Sequence, residues 1–393
     1  MSSFASVRDI DVKGKRVLMR VDFNVPLDGE TVTDDTRIRA ALPTVKAVLE
    51  KGASVILMSH LGRPKGKKDP KYSLKPAAAR LGELLGIEVI MAPDCIGDEV
   101  KAMAEALKPG QVMLLENVRF YAEETDNDVE FAKKLAALGD VYVNDAFGSA
   151  HRAHASTTGV AAFLPSAAGL LMERELNELG KLLEAAEAPF VVLLGGAKVS
   201  DKIGVMENLI GKADYILVGG GMAFPFLKMH GMEIGKSLCD GDLEVPKRIE
   251  EKAAGTKTKI VLPIDVVAAD EFAENAPHVD ADVENIPEDK MGLDIGPKTV
   301  AKFKDIISKA KTVFWNGPMG VFEKKPFDKG TREVAQAVAD SAARSVVGGG
   351  DSVAALTQAG LASKVTHVST GGGASLEFVE GRQLPGVAAL AKK

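Results

Sequence analysis

Pro189–Gly204 reads PFVVLLGGAKVSDKIG: an unbroken apolar run, a glycine pair, and a segment able to begin a helix. A run without polar alternation belongs to a strand covered on both faces, the condition of a parallel sheet between helices. The same pattern recurs downstream in DYILVGGG, KIVLP, TVFWNG, RSVVGGG and THVSTGGG, and upstream in RVLMRVD, ASVILMS, IEVIMA, QVMLLE and DVYVND. Helix-forming stretches separate these runs, so the expected class is α/β, with two doubly wound parallel-sheet domains joined by a hinge helix. A length of 393 residues suits two such cores. PSAAGLLMERELNELGKLLEAAEAP, residues 165–189, reads as one amphipathic helix between the halves. The expected domains are 1–170, a hinge helix 171–185, a second domain 186–375, and a closing segment 376–393.

Composition narrows the function. Hydrophobic residues make up 46% and charged residues 26%, with a net charge of −6, which argues against nonspecific nucleic-acid binding. No apolar run is long enough to span a bilayer, and the opening residues lack the apolar core of a signal peptide, so a cytoplasmic location is expected. Cys95 and Cys239, the two cysteines, read as small buried thiols.

Four segments of the second half end a strand with glycine: LLGGAKVSDKIG, LVGGGMAF, VVGGGDSVAAL and VSTGGGASLEF. A single glycine pair merely permits a tight turn. Four at equivalent positions point to a phosphate or nucleotide site at the carboxyl edge of the sheet. None matches a P-loop or a dinucleotide fingerprint, and the sequence signatures of protein kinases are absent. Lys198 and Lys202 follow the first pair, four residues apart, and are expected on one side of a helix start. Asp351 follows GGG, where it caps the next helix or holds Mg2+ through one carboxylate.

The first half carries arginines instead: Arg20, Arg37, Arg63, Arg119 and Arg152, each beside a strand end or in a polar loop, with His60, His151 and His154 in the same loops. Guanidinium forks converging from successive loops suit one small anion rich in carboxylate and phosphate. HRAH lacks the ligand spacing of a zinc site. RVDFNVP, Arg20–Pro26, places polar groups at the end of a buried strand, where they either cap a turn or hold a ligand.

These segments resemble the phosphoglycerate kinase family over essentially the whole chain. The match is carried by RVDFNVP, SHLGRPKG, ENVRF, NDAFGSAHRAHAS, LGGAKVSDKI, GGGMAF, FWNGPMGVFE, GGGDS and TGGGASLE with LPGV. Ser352 departs from the threonine that many members carry. The resemblance implies reversible phosphoryl transfer from 1,3-bisphosphoglycerate to MgADP, giving 3-phosphoglycerate and MgATP, in glycolysis and gluconeogenesis. It implies a glycerate site of Asp22, Asn24, Arg37, His60, Arg63, Arg119 and Arg152, with Arg20 supporting the arginines through ion pairs. It implies a nucleotide site of Gly196, Lys198, Lys202, Gly220, Gly221, Asn316, Pro318, Glu323, Gly349, Gly350, Asp351 and Ser352. There Glu323 bonds the ribose and Asp351 the metal. Lys202, Arg37 and Gly371, Gly372 and Gly373 would stabilise the phosphoryl group in flight. A monomer is expected, closing when both ligands are present, with the C-terminal segment packed on the first domain.

The chemistry agrees with the residue types. A carboxylate or nucleotide-phosphate acceptor is already ionised at neutral pH, so no general base is required, only positioning and neutralisation of charge. A different carboxylate kinase would share the glycine turns without the five arginines. An inactive nucleotide-binding relative would be expected to lose Lys202, Arg37 or Asp351, and all three are present.

Overall fold

The computed structural model describes residues 4–239 and 242–391. The chain divides into two units: one runs to Asn177 and takes up the chain again from Gln383, and the other is Glu178–Arg382. Residues 376–382, expected in the returning segment, therefore belong to the second unit.

The sheet of the first unit is parallel throughout, in the order Val89–Met91, Val112–Leu114, Ser54–Met58, Arg16–Arg20, Val141–Asn144, Ser166–Ala168. Its central strands are buried along their lengths, as their unbroken apolar runs require. The helix Thr36–Glu50 buries Ile38, Ala41, Val45 and Val48, a 3-4-3 spacing that lays one face on the sheet. Burial of each of the larger ones, Ile38, Val45 and Val48, contributes roughly 1.5–3 kcal/mol.

The sheet of the second unit is also parallel, in the order Lys259–Val261, Tyr215–Val218, Phe190–Leu194, Thr312–Asn316, Arg344–Gly348, His367–Val368. In chain order this is 3-2-1-4-5-6, so the winding reverses between Phe190–Leu194 and Thr312–Asn316. A crevice at the carboxyl ends of those two strands is the natural ligand position of such a sheet.

Two features depart from the sequence reading. Residues 165–189 are not one helix: Ser166–Ala168 forms the sixth strand of the first sheet, and the helix runs Leu170–Glu184. Gly169 separates them because a Cβ there would lie 2.1 Å from the Asp145 carboxylate. A three-stranded antiparallel sheet, His278–Asp282, Asp265–Ala269 and Met291–Ile295, was also not anticipated. HVDAD is short and largely exposed, so it carries no apolar run to announce a strand.

Asp145 takes the start of the helix Leu170–Glu184. Its Oδ1 accepts the amides of Leu171 and Met172 at 2.9 and 3.2 Å, and its Oδ2 is buried without a partner. Burial pushes this carboxyl up to about 7 against the hydrogen bonds from Thr44 and the two amides. The folded chain then holds the proton to higher pH than the unfolded chain. The stability so contributed is fully present below the ordinary carboxylate range and is lost as pH rises through about 7. Asp145→Asn should flatten the stability-versus-pH slope by about 2 kcal/mol between pH 5 and 7.5 in denaturant melts. An unchanged slope would show that Asp145 does not titrate there.

Candidate active site

In the first unit, the loops after four adjacent strands supply the polar residues. Asp22 and Asn24 follow Arg16–Arg20, His60 and Arg63 follow Ser54–Met58, Arg119 follows Val112–Leu114, and Arg152 follows Val141–Asn144. Asp22 receives Arg37 Nη1 at 2.8 Å. Burial works to raise the Asp22 carboxyl, but His60 first, then Arg37 and Arg20, and the Asn24 amide bring it below its ordinary value. Asn24 Oδ1 accepts the Gly62 amide at 2.8 Å, and Arg119 Nη1 donates to the Gly62 carbonyl at 3.1 Å. One loop thus joins the RVDFNVP motif to the arginines.

Arg63, Arg119 and Arg152 line a cavity of about 450 Å3 with Lys65, Tyr121 and His154. Arg119 Nε is buried without a partner. Burial, then the nearby Arg20, lowers its guanidinium to about 10, so it stays protonated at neutral pH. Three arginines on the wall of one cavity give it the positive charge and the fork donors that suit an anion. Arg152 Nε donates to His151 Nε2 at 3.2 Å.

Arg20 differs from expectation. It is fully buried, and its guanidinium donates to the Ser156 hydroxyl, the Val21 carbonyl and His60 Nδ1 rather than pairing with a carboxylate. Cys95 is buried as expected, whereas Cys239 is only half-buried.

In the second unit, Gly196, Gly220, Gly221, Pro318, Glu323 and Asp351 line a cleft of about 480 Å3. It opens at the sheet's reversal point, where the turns after Leu194 and Asn316 meet backbone to backbone. A Cβ on Gly195 would lie 1.9 Å from the Pro318 carbonyl oxygen, and one on Gly317 would lie 2.1 Å from that of Gly195. The Gly196 amide donates to the Pro318 carbonyl at 3.1 Å. Lys202 Nζ donates to the Asn316 side-chain oxygen. Burial lowers the Lys202 ammonium, while Asp201, Asp351 and Glu380 act to raise it.

Asp351 is exposed in the first turn of the helix Gly350–Gln358, whose cap position is Gly349, so the capping alternative is not the one adopted. Gly371, Gly372 and Gly373 lead into the helix Gly373–Val379. Lys198 is extended and precedes a 3-10 turn, Val199–Lys202, so the two lysines do not share a helix face. Ser352 is fully buried and its hydroxyl accepts the Gly317 amide. It holds the turn beneath the cleft rather than facing into it.

Sequence reasoning missed the apolar wall of this cleft: Leu238, Phe272, Val321 and residues 291–295 of the antiparallel sheet. Phe272 and Leu238 are more than half exposed, so the cleft carries an uncovered apolar surface.

The family model described as phosphoglycerate kinase matches residues 7–382. A phosphoglycerate kinase of Chloroherpeton thalassium is 60% identical over 390 residues, covering 98% of each chain, and one of Dictyoglomus turgidum is 57% identical over 389 residues, again covering 98% of each. Among solved structures, phosphoglycerate kinase from Coxiella burnetii is 43% identical with a TM-score of 0.91, covering 99% of this chain and 100% of that one. The Pyrococcus horikoshii enzyme is 36% identical with a TM-score of 0.85, covering 98% of both. With the arginine-lined cavity on one unit and the glycine-walled cleft on the other, the chain belongs to the phosphoglycerate kinase family, the phosphoryl-transferring kinases of glycolysis.

Proposed function

We propose that this chain transfers a phosphoryl group reversibly between 1,3-bisphosphoglycerate and MgADP, giving 3-phosphoglycerate and MgATP, with the acid on the first unit and the nucleotide on the second. The observation that carries this reading is the single cavity lined by the guanidinium-bearing residues Arg63, Arg119 and Arg152. Asp22, Asn24 and His60 complete the acid's surroundings, and Arg37, tied to Asp22, stands ready for the reacting end.

The apolar wall takes the base, Glu323 the ribose, and the amides around Gly196, Gly220, Gly349 and Gly350 the phosphates. Lys198 is exposed near the mouth of the same turn and meets the phosphates from solvent. No group of three carboxylate, histidine or cysteine ligands occurs among the described residues. The exposed carboxylate of Asp351, on the wall of the cleft, fits a Mg2+ held by it and by the nucleotide's own phosphates. Bound there, the ion would neutralise charge on the β- and γ-phosphates.

The chain's own contribution is placement and positive charge. Lys202, Arg37 and the amides of Gly371, Gly372 and Gly373 meet the equatorial oxygens of the moving group. No proton needs to be taken, because both acceptors are already ionised. No helix among the described residues is long and apolar enough to cross a membrane. We place the chain in the cytoplasm, as a monomer.

A coupled assay with 3-phosphoglycerate and MgATP tests the activity. Calorimetry tests the division of labour: Arg63→Ala and Arg119→Ala should each weaken 3-phosphoglycerate by about tenfold to a hundredfold and leave MgADP unchanged. A parallel loss of nucleotide affinity would remove these arginines from the acid site.

A further inference from the structure

Behind the arginine-lined cavity, four buried polar side chains run in a line that ends on the ligand-binding residues. Glu124, fully buried in the short helix Ala122–Thr125, accepts the Ser156 amide on Oε2 at 2.9 Å and the Ser156 hydroxyl on Oε1 at 2.6 Å. That hydroxyl has one proton and has given it to the carboxylate. It is therefore the acceptor for Arg20 Nε, at 2.7 Å. Arg20 in turn places Nη2 3.0 Å from His60 Nδ1. A guanidinium has no acceptor and does not lose its proton, so Nδ1 must accept, and the single proton of a neutral ring must sit on Nε2. Tyr142 braces the line from the side by donating to the Ser156 carbonyl at 2.8 Å.

We propose that Glu124 and Ser156 are positioning residues of the reaction: through Arg20 they lock His60 as the Nε2–H tautomer, so that it meets the anionic acid as a fixed hydrogen-bond donor. The proposal rests on the reading of His60 as part of the glycerate site. The charges facing His60 are Asp22, Arg20, Arg119 and Arg37, three of the four cationic. Burial first, then these arginines, hold the imidazole well below its ordinary value, against the opposing pull of Asp22. A second proton on the ring would crowd a cation among arginines. The lock leaves one donor of known direction and takes nothing from the cavity's attraction for an anion. A purely architectural role, pinning the loop at Ala155 and Ser156 to the helix Ala122–Thr125, would leave the ring's proton position indifferent to Glu124.

The deciding experiment is 15N NMR of the His60 ring in the full chain, assigned by the signal lost in His60→Gln, together with calorimetry of 3-phosphoglycerate and of MgADP. The expected wild-type ring is neutral and protonated on Nε2 from pH 5.5 to 8. Glu124→Gln and Ser156→Ala should mix the tautomers or bring a titration into that range, and weaken 3-phosphoglycerate by about tenfold without moving MgADP. Ser156→Thr, which keeps the hydroxyl, should restore the wild-type signals. A wild-type ring that is protonated on Nδ1 or titrates near pH 6.5 overturns the lock, whether or not any variant folds. So do folded Glu124 and Ser156 variants with unchanged ring signals and unchanged affinity. A wild-type chain that shows the lock but does not bind 3-phosphoglycerate overturns the reading of the site instead.

Discussion

Lys202→Ala should lower kcat by about a hundredfold or more while MgADP binds within about threefold of wild type. In the resting structure the ammonium is parked on the Asn316 side-chain oxygen, with Asp201, Asp351 and Glu380 near enough to sustain its charge against burial. A bound diphosphate gains little from a lysine already satisfied by Asn316. The group in flight gains much, since its charge spreads over oxygens that no other side chain of the second unit is proposed to meet. An interaction strengthened only at the transition state appears in kcat rather than in ground-state affinity. Removing one such donor costs on the order of 3 kcal/mol. Single-turnover kinetics beside calorimetry separate the two quantities, and equal losses in both would make Lys202 a plain nucleotide anchor.

Gly195→Ala should be more damaging still, and to folding rather than to chemistry. The added methyl would lie 1.9 Å from the Pro318 carbonyl oxygen and 2.7 Å from the Pro318 carbonyl carbon. Backbone, unlike a side-chain tip, does not step aside, so the two turns at the sheet's reversal point must separate. The Gly195–Asn316 and Gly196–Pro318 hydrogen bonds would be lost with them. We expect about 4 kcal/mol or more of destabilisation, at the extreme of single substitutions. Gly350→Ala is the control. Nothing lies within 4 Å of its Cβ, so it should fold normally. Denaturant melts of the two variants provide the comparison, and a Gly195→Ala chain as stable as Gly350→Ala would show the turns to be free to move.

The two parallel sheets were legible because their strands are apolar runs closed by glycine or by a polar turn, and a run like Phe190–Leu194 has no other way to be buried. The arginines were legible by type, and Arg63, Arg119 and Arg152 do line one cavity, whereas Arg20 ends a buried strand and Arg37 opens the helix Thr36–Glu50. What escaped was whatever depends on meeting across the sequence. Ser352 and Lys198 lie close to strand-end glycines, yet one faces inward and the other sits before a 3-10 turn, a difference fixed by local backbone geometry. Arg20 was placed in the right cluster with the wrong partners, because Ser156 lies 136 positions away and carries no signal of its own. Of the antiparallel sheet that walls the cleft, the outer strands His278–Asp282 and Met291–Ile295 are built from mixed, partly exposed residues, so no periodicity distinguishes them from loop.

The return of the chain at Gln383 has a consequence for the order in which the protein is made. Leu384 and Leu390 are almost fully buried, and Gly386 packs so closely on Ala150 that a Cβ would lie 2.9 Å from its Cα. The first unit therefore lacks part of its own interior until the residues from Gln383 onward emerge from the ribosome. The second unit is a single contiguous stretch, Glu178–Arg382. Vectorial synthesis presents the halves in one order and permits their completion in the other, so the first unit must wait, unfinished, through the synthesis of roughly two hundred residues.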